Sequence, residues 1–140
     1  MIKIIAIGKK TDYDIKINEY VKRLNKNFKI EWVLLNYSLN KNNESKEIFD
    51  KIKEKDFVIL LDERGKEINN DLLCDKITKN QNVVFVIGGP YGVNDEIRKR
   101  SNFILKLSEL IFPYEICRLM LIEQIYRSQE IFLNHPYHHK

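Results

Sequence analysis

Short runs of consecutive apolar residues alternate along this chain with stretches whose apolar positions recur at helical spacing. Ile2–Ile7, Ile30–Leu35, Phe57–Leu61, Val83–Ile87 and Phe103–Leu107 are short and rich in β-branched residues, which predicts five strands. Val83-Val84-Phe85-Val86-Ile87 contains no polar position. That continuity predicts a strand covered on both faces, as in parallel sheets. Ile17, Tyr20, Val21 and Leu24 share one helical face and predict a helix over roughly Tyr13–Lys26. Asn36–Asn43 reads as a polar loop, followed by a short helix from Ser45 to about Lys53. Asn70 suits the cap of a helix reaching about Lys79, and Asn94 the cap of one reaching about Arg100, where Asp95 and Glu96 sit at the positive end. Pro113 suits the first turn of the longest helix, to about Leu133. Strands alternating with helices predict a single α/β domain over residues 1–140, a mostly parallel sheet flanked by helices.

The longest helix is apolar around more than one face: Ile116, Leu119, Met120, Leu121, Ile122, Ile125 and Tyr126 do not fit on one stripe. Such a helix is buried by its own sheet and by something else. The expectation is a homodimer interface, and the alternative is a helix wholly enclosed in one subunit.

Composition adds bounds. Hydrophobic residues make up 44% and charged residues 31%, ordinary for a soluble domain. No apolar run approaches the roughly 18–20 residues that span a bilayer, and Met1–Gly8 lacks the length and cleavage site of a signal peptide. No membrane association is expected. Cys74 and Cys117 stand apart without paired spacing, so neither a disulfide framework nor a metal site is suggested, and a reducing cytoplasmic setting is expected. The net charge of +4 permits a polyanionic partner. It is not concentrated in an arm, since residues 1–70 hold 15 basic and 12 acidic groups and residues 71–140 hold 9 and 8.

Candidate chemistry gathers in three segments. The apolar run at 83–87 leads directly into Gly88-Gly89-Pro90-Tyr91-Gly92, whose glycines allow a sharp turn and close approach of backbone to a ligand. A plain tight connection is the alternative. Leu61-Asp62-Glu63-Arg64-Gly65-Lys66 follows the third strand, and Leu107-Ser108-Glu109-Leu110-Ile111-Phe112 joins the last strand to the long helix. Ligands of open α/β sheets bind beyond the carboxyl ends of the strands. If the third and fourth strands are neighbours, the segments can enclose an adenine and ribose between Leu61, Leu107, Leu110 and Ile111, with backbone amides reading the base. Asp62 and Glu63 beside Arg64 read as a solvated turn or as a carboxylate pair. Gly-x-x-x-x-Gly-Lys-Ser/Thr, Gly-x-Gly-x-x-Gly, Gly-x-Ser-x-Gly and His-Glu-x-x-His are absent. All three histidines fall in His135-Pro136-Tyr137-His138-His139-Lys140. A disordered end, a tag remnant, a metal-binding tail and an ordered basic-aromatic tail over a pocket all fit this segment.

Taken together, Ile5–Lys9, Leu61–Lys66, Phe85–Gly92, Arg118–Arg127 and Asn134–Lys140 resemble the SPOUT methyltransferases, and closely the ribosomal RNA large subunit methyltransferase H family. The resemblance spans nearly the whole chain in order. It implies a homodimeric α/β knot with a C-terminal trefoil, exceptional among folds. It implies S-adenosyl-L-methionine as cofactor, held by Leu61, Gly88, Leu107, Ser108, Glu109, Leu110, Ile111 and Phe112. The implied reaction is methylation of N3 of a pseudouridine in helix 69 of 23S rRNA, in the large subunit or assembled ribosome. A non-catalytic ribosome-binding or assembly factor is the competing reading. His138 is the candidate for substrate positioning or proton transfer, Tyr137 for stacking on the base, and Arg118 for phosphate or developing charge. A structural ion pair of Arg118 with Glu115 or Glu123 is the alternative. Two positions depart from the family pattern: Tyr114 stands where many members have histidine, and His139 intervenes before the terminal Lys140.

Overall fold

The structure, a computed structural model, describes residues 1–24 and 28–139. In chain order it comprises β1 (Ile2–Ile7), α1 (Asp14–Arg23), β2 (Ile30–Leu35), α2 (Lys41–Asp50), β3 (Phe57–Lys66), α3 (Asn70–Thr78), β4 (Val83–Ile87), α4 (Asp95–Arg100), β5 (Phe103–Leu105) and α5 (Tyr114–Phe132). All five strands run parallel in one sheet, in the order β2-β1-β4-β3-β5. This is the α/β fold expected, with β4 at the centre and buried throughout.

Alternation along each strand sorts the core into two layers. Ile2, Ile4 and Ala6 of β1 join Phe85, Ile87 and Ile59 on one face, beneath Ile17 of α1, Leu73 of α3 and Leu121, Ile122 and Ile125 of α5. Ile5 and Ile7 join Val58, Leu60, Val84 and Val86 on the other, beneath Ile48 of α2 and Ile97 of α4. Three helices thus cover one face and two the other. Burying each large apolar side chain in these layers contributes about 1.5–3 kcal/mol. Ile116, Leu119 and Met120 of α5 stay half-buried in the single chain.

Several boundaries differ from the sequence expectation, each for a local reason. The helix expected from residue 45 begins at Lys41, because the Asn40 side chain accepts from Asn42 N at 2.8 Å and caps it. Asn69, not Asn70, caps α3, accepting from Leu72 N at 2.8 Å. β3 does not end at Leu61. It continues to Lys66 after an irregularity, pairing Lys66 with Leu105. β5 is shorter than expected and stops at Leu105. α1 spans Asp14–Arg23, and the expected end near Lys26 lies outside the described residues.

At the far end of α5, Asn134 adopts a left-handed conformation with φ 58°. Its N–H donates to Ile131 O at 3.0 Å, and His135 N donates to Glu130 O at 2.9 Å, an ending that turns the chain back along the helix.

Candidate functional site

Register brings the three candidate segments together. Leu61 pairs with Ile87 across β3 and β4, and with Leu105 across β3 and β5. The segments after β4 and β5 therefore leave the sheet beside the extension of β3. They enclose a cavity of about 720 Å³, within the size of pockets that bury a nucleoside-sized ligand. Seven of the eight cofactor candidates line it: Leu61, Gly88, Leu107, Ser108, Leu110, Ile111 and Phe112. Glu109 does not; its carboxylate turns to Lys106 and stays exposed.

The walls divide by chemistry. Leu61, Leu107 and Phe112 are half-buried on the apolar side, whereas Leu110 and Ile111 are 72% and 80% exposed at the mouth. Apolar side chains held this far into solvent at a cavity rim are surfaces for something to cover. Ser108 Oγ accepts from Leu110 N at 3.0 Å and shapes that turn. At the opposite end Asp62 Oδ2 lies 2.7 Å from Arg98 Nη1 of α4, and Asp62 Oδ1 accepts from Arg64 N at 2.8 Å. Asp62 is thus a partly buried, paired carboxylate on a strand, neither a solvated turn nor half of a carboxylate dyad. Glu63 is exposed.

Three glycines are set by the local backbone. Gly92 carries φ 76° and donates to Gly89 O at 2.9 Å, closing the loop after β4. A Cβ on Gly88 would meet Val93 Cγ1 at 3.0 Å and Gly92 C at 3.1 Å. A side chain at Gly88 would therefore crowd the loop itself. Gly65 follows the same logic on β3: a Cβ there would stand 2.5 Å from Ile104 O. Periodicity could not show this, since it ends the strand at Leu61, although a glycine inside a strand marks a close backbone approach.

Of the catalytic candidates, Arg118 lies apart from Tyr137 and His138 in the single chain. Arg118 is 1% exposed and does not line the cavity. Its guanidinium donates to Ile7 O at 2.6 Å and Lys9 O at 2.9 Å, and sits 5.0 Å from the Tyr114 ring centroid. Neither Glu115 nor Glu123 pairs with it; Glu123 pairs with Arg127. Arg118 therefore ties the start of α5 to the end of β1. Burial pulls its pKa below the usual arginine value. Burial likewise raises the Cys117 thiol, at the cavity wall, and Cys74 beneath α5; both are free.

The tail folds onto the other end of α5. Tyr137 packs edge-on against Tyr126 at 4.9 Å, with the Arg127 guanidinium 4.9 Å from its ring. Arg127 Nη1 lies 3.1 Å from His138 Nδ1, and His135 Nδ1 lies 2.9 Å from Glu130 Oε2. The segment is ordered through residue 139 but packs on α5 and does not cover the cavity of its own chain; Lys140 lies outside the described residues. Among the described residues no group of three His, Cys, Asp or Glu side chains is placed to hold a metal. Likewise, no helix among them is long and apolar enough to cross a membrane. Tyr114 borders the cavity and Arg127 holds the tail, 13 positions apart on α5, which at about 1.5 Å per residue is roughly 20 Å. No histidine lines the cavity among the described residues.

Known proteins match this chain end to end. A family model described as predicted SPOUT methyltransferase matches residues 1–138. The protein named ribosomal RNA large subunit methyltransferase H of Dictyoglomus thermophilum is 40% identical, with 99% of each chain covered. Those of Christiangramia forsetii and Clostridium botulinum are 35% and 36% identical, covering 99% and 98% of each chain.

Proposed function

The chain belongs to the SPOUT methyltransferase family, and from that membership we propose that it transfers a methyl group from S-adenosyl-L-methionine to N3 of a pseudouridine in helix 69 of 23S rRNA. The observation that carries this reading is the cavity at the exits of β4, β3 and β5. Its apolar wall (Leu61, Leu107, Phe112) suits an adenine, and backbone groups of the loops beside that wall would read the base edge. These residues fit the cofactor: Leu61, Leu107, Leu110, Ile111 and Phe112 would hold the adenosyl part, with Ser108 and Gly88 fixing the turns around it. When bound, the cofactor supplies a sulfonium-activated methyl group.

The residues of this chain then have two tasks, aligning the nucleophilic nitrogen and managing its proton. His138 and Tyr137 are the residues we propose for proton transfer or positioning and for stacking on the base. Their place roughly 20 Å along α5 from the cavity supports a homodimer in which each tail serves the other subunit's site. The half-buried Ile116, Leu119 and Met120 offer apolar surface for that interface. The family reading further implies a trefoil knot through which the C-terminal part is threaded, and a cytoplasmic protein working on the large subunit or assembled ribosome. Arg118, buried against the β1 carbonyls, acts in this reading by positioning Tyr114 and the start of α5 rather than by touching substrate.

Isothermal titration with S-adenosyl-L-methionine, followed by tritiated methyl transfer to ribosomes from a strain lacking the modification, tests the proposal. Cofactor binding with methyl transfer to that nucleotide is the expected outcome. Binding without transfer to any ribosomal RNA would favour an assembly factor, and methylation elsewhere would move the target.

A further inference from the structure

The cavity covers only part of the C-terminal edge of the sheet. Beyond β2, β1 and β4 the edge carries different side chains. Gly8 N donates to Leu35 O at 2.9 Å, so the ends of β1 and β2 lie side by side. A Cβ on Gly89 would lie 3.2 Å from Ile7 Cγ2, so the loop after β4 abuts the same edge. One on Gly8 would lie 3.2 Å from the Tyr114 ring. The exposed Lys9 and Lys10, together with Tyr37, Tyr91 and Tyr114, are thereby brought to one rim. Tyr91 and Tyr114 also border the cavity, so the rim is part of its mouth.

Two of these rings stand out in solvent, Tyr91 at 60% and Tyr37 at 44% exposure, and the two phenol groups lie near each other. Rings this exposed contribute little to the core. Their support, in contrast, is buried. Glu44, 2% exposed, accepts from Ser38 N at 2.7 Å, fixing the segment that carries Tyr37. Its other oxygen has no partner and lies 3.0 Å from the place of a Gly89 Cβ, beneath the loop that carries Tyr91. Ser45 Oγ accepts from Asn94 N at 3.0 Å and ties the other end of that loop to α2. Burying a carboxylate with one oxygen unpaired is costly, and here it underlies both segments that display the tyrosines.

We propose that Tyr37 and Tyr91 form a stacking platform for an unpaired RNA nucleotide that flanks the methylated one, with Lys9 and Lys10 meeting its phosphates. Flat rings next to ammonium groups match the two faces of single-stranded RNA, the base and the backbone. The inference rests on the proposed RNA substrate and adds to it the place where a neighbouring nucleotide is held.

The test uses the full chain and ribosomes lacking the modification. Tyr37→Ala and Tyr91→Ala should each raise KM for the ribosomal substrate by about 5- to 150-fold, the range of base–aromatic stacking. In Tyr37→Ala, outside the cavity lining, the affinity for S-adenosyl-L-methionine should stay unchanged, and Tyr37→Phe and Tyr91→Phe should bring KM back towards the wild-type value. Unchanged KM in the alanine variants would overturn the platform. So would a loss of cofactor affinity in Tyr37→Ala, or a shift in oligomeric state by sedimentation, which would make the rim a subunit contact. If the wild-type protein methylates no ribosomal RNA, the proposed function fails and the platform is judged separately. Quenching of a 2-aminopurine-labelled single-stranded RNA by wild type but not by the double alanine variant would sustain it, and absence of quenching by wild type would end it.

Discussion

Replacing Gly65 with alanine tests whether the cavity depends on the close passage of β3 against β5. Gly65 has no positive φ, so the substitution adds no backbone strain of that kind. Its effect is steric. The new Cβ would stand 2.5 Å from Ile104 O, 2.7 Å from Ile104 C and 2.9 Å from Leu105 C, where ordinary contact begins at 3.4 Å. All three obstacles are backbone, so β5 must retreat by about 0.9 Å, the difference between 3.4 and 2.5 Å. Overpacking of this kind destabilises a fold by about 1–3 kcal/mol. β5 leads directly into Leu107–Phe112, and Lys106 N donates to Lys66 O at 3.0 Å beside the clash, so the displacement passes into the cavity wall. We expect a urea midpoint lowered in proportion and an affinity for S-adenosyl-L-methionine at least about tenfold weaker, equivalent to about 1.4 kcal/mol. Titration calorimetry at a temperature where the variant remains folded separates the two effects. Wild-type stability together with wild-type affinity would refute the claim that this approach shapes the site.

Arg118→Ala removes two charged hydrogen bonds and leaves the Ile7 and Lys9 carbonyls in need of partners, so chemical denaturation should show a loss of about 2–5 kcal/mol; an unchanged midpoint would contradict the clamp between β1 and α5. His138→Ala should lower methyl transfer severely while calorimetric cofactor affinity stays near wild type, and normal turnover would remove the tail from the reaction. Cys74 and Cys117 have thiol pKa values raised by burial, so both should react with a disulfide reagent at pH 8 far more slowly than free cysteine; rates equal to free cysteine would contradict their burial. Because the folded thiols hold their protons to higher pH than the unfolded ones, their contribution to stability is complete below the ordinary thiol pKa. It declines as pH rises from there through the raised values, and pH-dependent denaturation curves measure the decline.

The order of elements, the parallel sheet and the central strand were legible because they rest on local chemistry. A strand with no polar position, such as Val83–Ile87, can sit only where both faces are covered, and side-chain capping at Asn94 is a contact within one turn. The three segments of the cavity were legible as a set for a similar reason, since each leaves the same end of a parallel sheet. What one-dimensional pattern could not supply was distance between elements. Gly65 looks like a residue beyond the strand until the backbone of β5 is seen against it, and Asp62 looks solvated until Arg98 arrives from α4. Glu44 sits in a stretch that reads as a polar helix start, yet packing places its carboxylate under two loops. Arg118 is one more charge on a helix until folding sets it against the carbonyls of a strand more than a hundred residues away. Propensity and pattern act through neighbours in sequence. Burial, the pairing of charges and the room left for a Cβ depend on neighbours in space, and those exist only once the chain has folded.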